Sequence, residues 1–243
     1  MRGAMKRWMQ FIGVWLDVVS YPEKLVSVLG GLISIGFLVW FSGHVLGPEA
    51  AVPVIASMGS SAVLLFAVPH GALSQPWPLI AGHGLSAVIG VLCARFLGHG
   101  WLAAGCAVGL SIGVMHQLRC IHPPGGSTAL TAVIGGESVH RMGFEFVWWP
   151  VLVNAMVILL VAVVFNWPFV WRRYPVGLSK KRGAPRPSSP VNGDPHADIV
   201  QALKSIDSFI DVHESDLVEL ARLIARERET RAVGPKNTGQ HSP

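Results

Sequence analysis

The sequence predicts an all-α polytopic membrane protein, and three observations carry that prediction. Of its 243 residues 51% are hydrophobic and only 14% charged, with a mean hydropathy of +0.48, too apolar for a water-soluble domain of this size. Between residues 25 and 169 the only charged side chains are Glu49, Arg95, Arg119, Glu137, Arg141 and Glu145. Four apolar windows, 25–46, 79–97, 101–118 and 147–169, approach or exceed the roughly 20 residues that a helix needs to cross a bilayer.

Residues 1–24 place Trp8, Phe11, Ile12, Trp15 and Leu16 on one helical face beside Lys6 and Arg7. That pattern suits a helix lying at the membrane interface or packed on the bundle. Trp8, Trp15 and Asp17 interrupt the apolar stretch, and no small-residue cleavage site follows, so no signal peptide is expected. The membrane domain spans 25–169. Two shorter apolar windows, 52–68 and 123–135, carry Gly, Ser or Pro near their starts and read as short spans, half-helices or re-entrant segments.

The net charge of +5 comes from the ends: Arg2, Lys6, Arg7 and Lys24 before the first span, and Arg172, Arg173, Lys180, Lys181, Arg182 and Arg186 after the last. This positive-inside distribution puts both termini in the cytoplasm and requires an even number of crossings. Residues 170–196 have the composition of a basic, flexible linker. In 197–231, Ile199, Leu203, Ile206 and Ile210 form one apolar stripe and Leu217, Leu220, Leu223 and Ile224 another, a cytoplasmic helical hairpin too small to bury itself. It is expected to pair with a second subunit or the membrane domain, and 232–243 to be a disordered tail.

The two short windows resemble each other. Gly59-Ser60-Ser61-Ala62 parallels Gly126-Ser127-Thr128-Ala129, and downstream Trp77-Pro78-Leu79 parallels Trp149-Pro150-Val151. The chain therefore reads as two repeats of three apolar segments, 25–97 and 101–169. If the short segments cross, three crossings per repeat invert the second copy, the favoured architecture; if they re-enter, four spans remain and the copies are parallel.

The most specific string is His122-Pro123-Pro124-Gly125-Gly126-Ser127-Thr128-Ala129-Leu130. Two prolines cannot continue a preceding helix and two glycines permit unusual dihedrals, so the backbone is expected to break here and a new helix to begin near Ser127. The N–H groups of its first turn would suit an anion or a polar solute, and Gly59-Ser60-Ser61 would offer a second such terminus. The glycines would admit the solute to one shared midplane cavity, with Ser60, Ser61, Ser127 and Thr128 adding hydroxyl donors. The alternative is a purely architectural kink.

His122, with its two prolines, the string Met58-Gly59-Ser60-Ser61-Ala62-Val63-Leu64-Leu65-Phe66 and the Trp-Pro helix starts resemble the HPP family of integral membrane proteins over residues 21–169. Some members are implicated in nitrite transport, notably in plastids, which implies passage of a small anion. The tail around 203–212 is similar to the segment that in many relatives leads into paired CBS nucleotide-binding domains. Here the sequence stops before such a domain, and no cofactor is expected.

Arg119, three residues before His122, could raise the positive potential of a vestibule; for Arg119 and Arg95 alike, the plain alternative is snorkelling at a span end. His122 either lines the pathway or hydrogen-bonds a neighbouring helix. His83 is expected in the bundle and His70 in a loop. Cys93, Cys106 and Cys120 have no close pair, and His116, Cys120 and His122 lack a carboxylate, so neither a disulfide nor a metal is expected. No nucleophile set or phosphate loop appears, so no enzyme is expected and no catalytic residue is named. The expected pathway residues are Gly59, Ser60, Ser61, Arg119, His122, Pro123, Pro124, Gly125, Gly126, Ser127 and Thr128. The expected assembly is a homo-oligomeric transporter or channel for a small anion in a bacterial inner membrane, without nucleic acid. A membrane sensor or scaffold signalling through the hairpin is the other reading.

Overall fold

The computed structural model describes residues 8, 19–45 and 48–178, so the interfacial helix and the hairpin lie outside the described residues. Every regular element among them is helical, and three helices are long and apolar enough to cross a membrane: Tyr21–Val45, Pro76–Leu97 and Val147–Asn166. The helical membrane class holds. Trp101–Gln117, at 17 residues, falls below that length.

Local chemistry sets the boundaries. Helix α1, Tyr21–Val45, starts on the box Ser20-Tyr21-Pro22-Glu23, where the Glu23 N–H donates to Ser20 Oγ at 3.4 Å. Helix α2, Pro48–Ala67, and α3, Pro76–Leu97, both begin on proline, which needs no N–H in a first turn. Gly98 ends α3 with φ of 78°. Helix α4, Trp101–Gln117, ends in a Schellman turn: the Arg119 N–H reaches His116 O at 3.2 Å and the Cys120 N–H reaches Met115 O at 2.9 Å. Arg119 itself takes the left-handed position with φ of 53°.

Helix α5 runs Pro123–Ile134, with His122 extended before it and both prolines inside the first turn. The expected start near Ser127 is therefore corrected by four residues: proline's fixed φ suits the opening of a helix, so the tandem prolines begin α5 instead of merely ending its predecessor. After the short helix α6, Glu137–Met142, the last span α7 covers Val147–Asn166. Its first six residues, Val147–Leu152, are π-helical around Pro150. Trp77-Pro78 does lie at a helix start, but Trp149-Pro150 is carried through by this wider turn, which accommodates the missing N–H.

Helix α3 lies at the centre, against α4, α5 and the π turn of α7. Helix α1 packs on α2 and α7, and α2 packs on α5 and α7. Small residues permit the tightest of these contacts. On α3, Gly82, Ser86 and Gly90 are spaced four apart and face Gly125, Ala129 and Ala132 of α5. A Cβ on Gly90 would lie 2.5 Å from Ala129 O, and one on Gly125 would lie 2.8 Å from Gly82 O. In an apolar solvent, such close backbone approach supplies the dispersion energy that holds helices together.

Contacts also identify the two ends of the bundle. At one end, Trp77 Nε1 donates to Leu118 O at 3.1 Å and Tyr174 Oη to Ser74 O at 2.8 Å. His70 lies in the loop between α2 and α3, 3.3 Å from Arg173 O. At the other end, the His99 and His140 rings stack with centroids 3.6 Å apart. Helix α5 thus leads from the first end, beside Leu118, to the second, beside His140.

Candidate functional site

Four polar side chains, from α2, α3, α5 and the extended residue before α5, meet in a fully buried cluster. Ser61 Oγ lies 2.8 Å from His83 Nε2 and 2.9 Å from His122 Nε2. His83 Nδ1 lies 2.7 Å from Thr128 Oγ1, and His122 Nδ1 lies 2.9 Å from Leu73 O. Ser61, His83 and His122 are 0% exposed and Thr128 is 1%, so water supplies none of these bonds. His83 is about two turns into α3, roughly 10 Å along its axis.

One chain of hydrogens satisfies every ring nitrogen. The Leu73 carbonyl can only accept, so His122 Nδ1 donates to it and His122 Nε2 accepts. Ser61 Oγ–H donates to that Nε2, leaving the serine oxygen to accept from His83 Nε2–H. Thr128 Oγ1–H then donates to His83 Nδ1. Each hydroxyl also reaches the carbonyl four residues back, Ser57 O at 3.2 Å and Pro124 O at 3.3 Å. Rotation of either hydroxyl onto its own helix would break the relay, so the cluster can carry or interrupt a run of aligned hydrogen bonds.

The sequence-predicted residues divide around this cluster. Ser61, His122 and Thr128 are in it. Pro124 supplies an accepting carbonyl, and Gly125 packs against Gly82 O and Ser86 Oγ of α3. A Cβ on Gly126 would meet only Val108 Cγ1, at 3.9 Å, and Pro123, Ser60 and Ser127 are exposed. Arg119 is exposed in the turn that ends α4 and is not drawn to His122.

Three structural expectations are corrected. Gly59-Ser60-Ser61 lies inside α2, not at a helix start, so its N–H groups belong to the helix ladder. At α5, Pro123 and Pro124 have no N–H, and the Gly125 N–H donates to His122 O at 2.8 Å, which removes donors a bound anion would need. Nor do the glycines line one shared cavity: Gly59 borders an outer groove between α1 and α2 of about 410 Å³, while Gly125 is packed on α3. Side chains, not glycine backbone, bring the short segments together.

His83 is the member of the cluster that belongs to no motif in the sequence. Its signal was a lone histidine within an apolar span, where an ionisable group is costly without a purpose. Among the described residues, no three His, Cys, Asp or Glu side chains are grouped to hold a metal ion.

The match to known proteins rests on this same stretch. Residues 17–175 match the family described as "HPP, transmembrane region". The chain belongs to the HPP family. Two transmembrane proteins of Dictyostelium discoideum are similar to it. One is 42% identical over 127 residues, 51% of this chain and 44% of the relative; the other is 34% identical over 154 residues, 62% and 49%. The chain thus spans about half the length of the curated relatives it matches. No solved structure matches it. The HPP match contains all four relay residues and also a second buried polar group.

That group closes the end of the bundle. Arg172, following α7, donates from Nη1 to the Glu23 carboxylate of α1 and to Ser27 Oγ, the latter at 3.1 Å. It also donates to Asn166 Oδ1 at 3.0 Å and to Phe66 O at 2.6 Å. Trp171 Nε1 donates to the other Glu23 oxygen at 2.9 Å. Burial lowers the Arg172 pKa, against the opposing pull of Glu23. Nearby, burial pushes the Tyr174 hydroxyl above its ordinary value. In the sequence Arg172 is one of several basic residues after the last span; its place in the clamp depends on a fold-level meeting with Glu23.

Proposed function

We propose that this HPP protein is a membrane transporter or channel for a small anion, nitrite being the first candidate, built from two inverted three-helix repeats. The observation that carries the reading is the buried relay through His122, Ser61, His83 and Thr128. Imidazoles kept inside an apolar bundle mark solute or proton pathways in membrane proteins. The relay contains no carboxylate, which favours an anion over a cation, and the resemblance to nitrite-transporting members points the same way.

The paired packing of helices supports the repeats. The contact of α1 with α7 corresponds to that of α4 with α3, and α2 with α7 to α5 with α3, while α2 meets α5 directly. Three crossings in each repeat would invert the second and leave both termini cytoplasmic, in a homo-oligomer in the inner membrane of a bacterium. In a cysteine-free background, Ala72→Cys and Glu137→Cys should then label from opposite faces; labelling from one face would exclude inversion.

Purified protein in liposomes should carry nitrite faster than empty vesicles, and His83→Phe should abolish the difference while the protein still assembles. No flux of nitrite, nitrate, formate or chloride would favour the sensor or scaffold reading.

A further inference from the structure

A cleft at the end of the bundle away from Leu73 and Leu118 has a chemistry distinct from the relay. It opens between α3, α5 and α6, with a volume of about 390 Å³. Its floor is apolar, formed by Val91, Ala132 and Val139, and its polar lining is Arg95, His99 and His140. Among the described residues, no acidic side chain lines it and Arg95 has no hydrogen-bond or ion-pair partner. The one carboxylate of α6, Glu137, is 3.9 Å from Arg141, with both side chains exposed.

The imidazoles are held in place. His140 Nε2 donates to Val133 O at 2.8 Å, which fixes its ring, and His99 stacks on that ring at an interplanar angle of 17°. Gly98 and Gly143 take φ of 78° and 51°, turning the chain sharply beside His99 and after α6. An unpaired guanidinium beside two oriented imidazoles, over an apolar floor, is suited to an oxyanion: the fork donates two parallel N–H bonds to paired oxygens.

We propose that this cleft binds an oxyanion group, through Arg95 with His99 and His140 beside it. The group has two sources, a free anion at the mouth of the bundle or an anionic lipid headgroup. The site stands whether or not the protein conducts, because binding is read without flux.

Binding to the full chain in detergent is measured calorimetrically with sodium nitrite and inorganic phosphate, and in nanodiscs by comparing phosphatidylglycerol with phosphatidylcholine. Arg95→Gln and His99→Gln should each weaken binding, Arg95→Gln by about tenfold, the loss of a charge-assisted hydrogen bond. Arg95→Lys, which keeps the charge, should retain more. Loss of nitrite or phosphate binding in Arg95→Gln supports the site with a free anion as ligand; loss confined to phosphatidylglycerol supports it with a lipid. Unchanged binding in both glutamine variants, or no binding of any probe to the wild type, overturns the proposal. Should Arg95→Gln fail to assemble, His99→Gln decides by the same comparison, since His99 is exposed beyond the end of α3.

Discussion

Ser61 and Thr128 hold opposite nitrogens of one imidazole, with Ser61 Oγ 2.8 Å from His83 Nε2 and Thr128 Oγ1 2.7 Å from His83 Nδ1. They occupy matched places in the two similar strings, so a single ring from α3 joins the two short segments. Ser61→Ala and Thr128→Ala should each destabilise the bundle by about 1 kcal/mol. Because both act through His83, the double variant should fall short of their sum by about 0.5 kcal/mol or more. Unfolding in detergent measures the cycle, and strict additivity would mean that the ring does not couple the hydroxyls.

Gly125 and Gly126 are neighbours with opposite surroundings, so alanine at each position separates packing from helix propensity. A Cβ on Gly125 presses on Gly82 O at 2.8 Å and Ser86 Oγ at 2.9 Å, and backbone cannot swing aside. Gly125→Ala should cost about 1–3 kcal/mol by parting α3 from α5. Gly126→Ala meets only Val108 at 3.9 Å and should be neutral or stabilising by up to about 1 kcal/mol. Thermal unfolding of the two variants decides it; equal losses would discount the close contact.

Much of the bundle was legible because it depends on local chemistry. Apolar length marked Tyr21–Val45, Pro76–Leu97 and Val147–Asn166, and Pro123 and Pro124 marked the break before α5. The direction of proline's effect was harder to read, since the same ring that stops one helix opens the next. Ser61, Thr128 and His122 were legible as polar residues in unusual strings. That they converge on His83 was not, because their partners lie 22 to 61 residues away and depend on how helices pack. Gly59 misled for a related reason: glycine permits a break but does not impose one, and α2 runs through it.

Arg119 occupies a backbone position that favours glycine. Its φ of 53° closes the Schellman turn after α4, and a side chain there costs about 1 kcal/mol relative to glycine. Arg119→Gly should therefore raise the unfolding temperature slightly and leave nitrite flux at the wild-type rate. A marked loss of flux with intact folding would return the guanidinium to the pathway, while a loss of stability would show that its charge contributes more than the turn.

Glu23 and Arg172 form the buried ion pair that ties the start of α1 to the segment after α7, with side chains 4% and 1% exposed. Arg172→Met leaves the Glu23 carboxylate buried with, among the described residues, the Trp171 indole as its donor, and Glu23→Gln leaves the guanidinium with neutral acceptors. Each single change should cost about 3–5 kcal/mol, because removal of one partner leaves the other's charge uncompensated. The double variant Glu23→Gln/Arg172→Met removes both charges, so its loss should be smaller than that of Arg172→Met alone. Chemical unfolding in detergent provides the comparison. A double variant as unstable as the sum of its parts would mean that the guanidinium's bonds to Asn166, Ser27 and Phe66 O, not its charge pairing with Glu23, hold this end of the bundle.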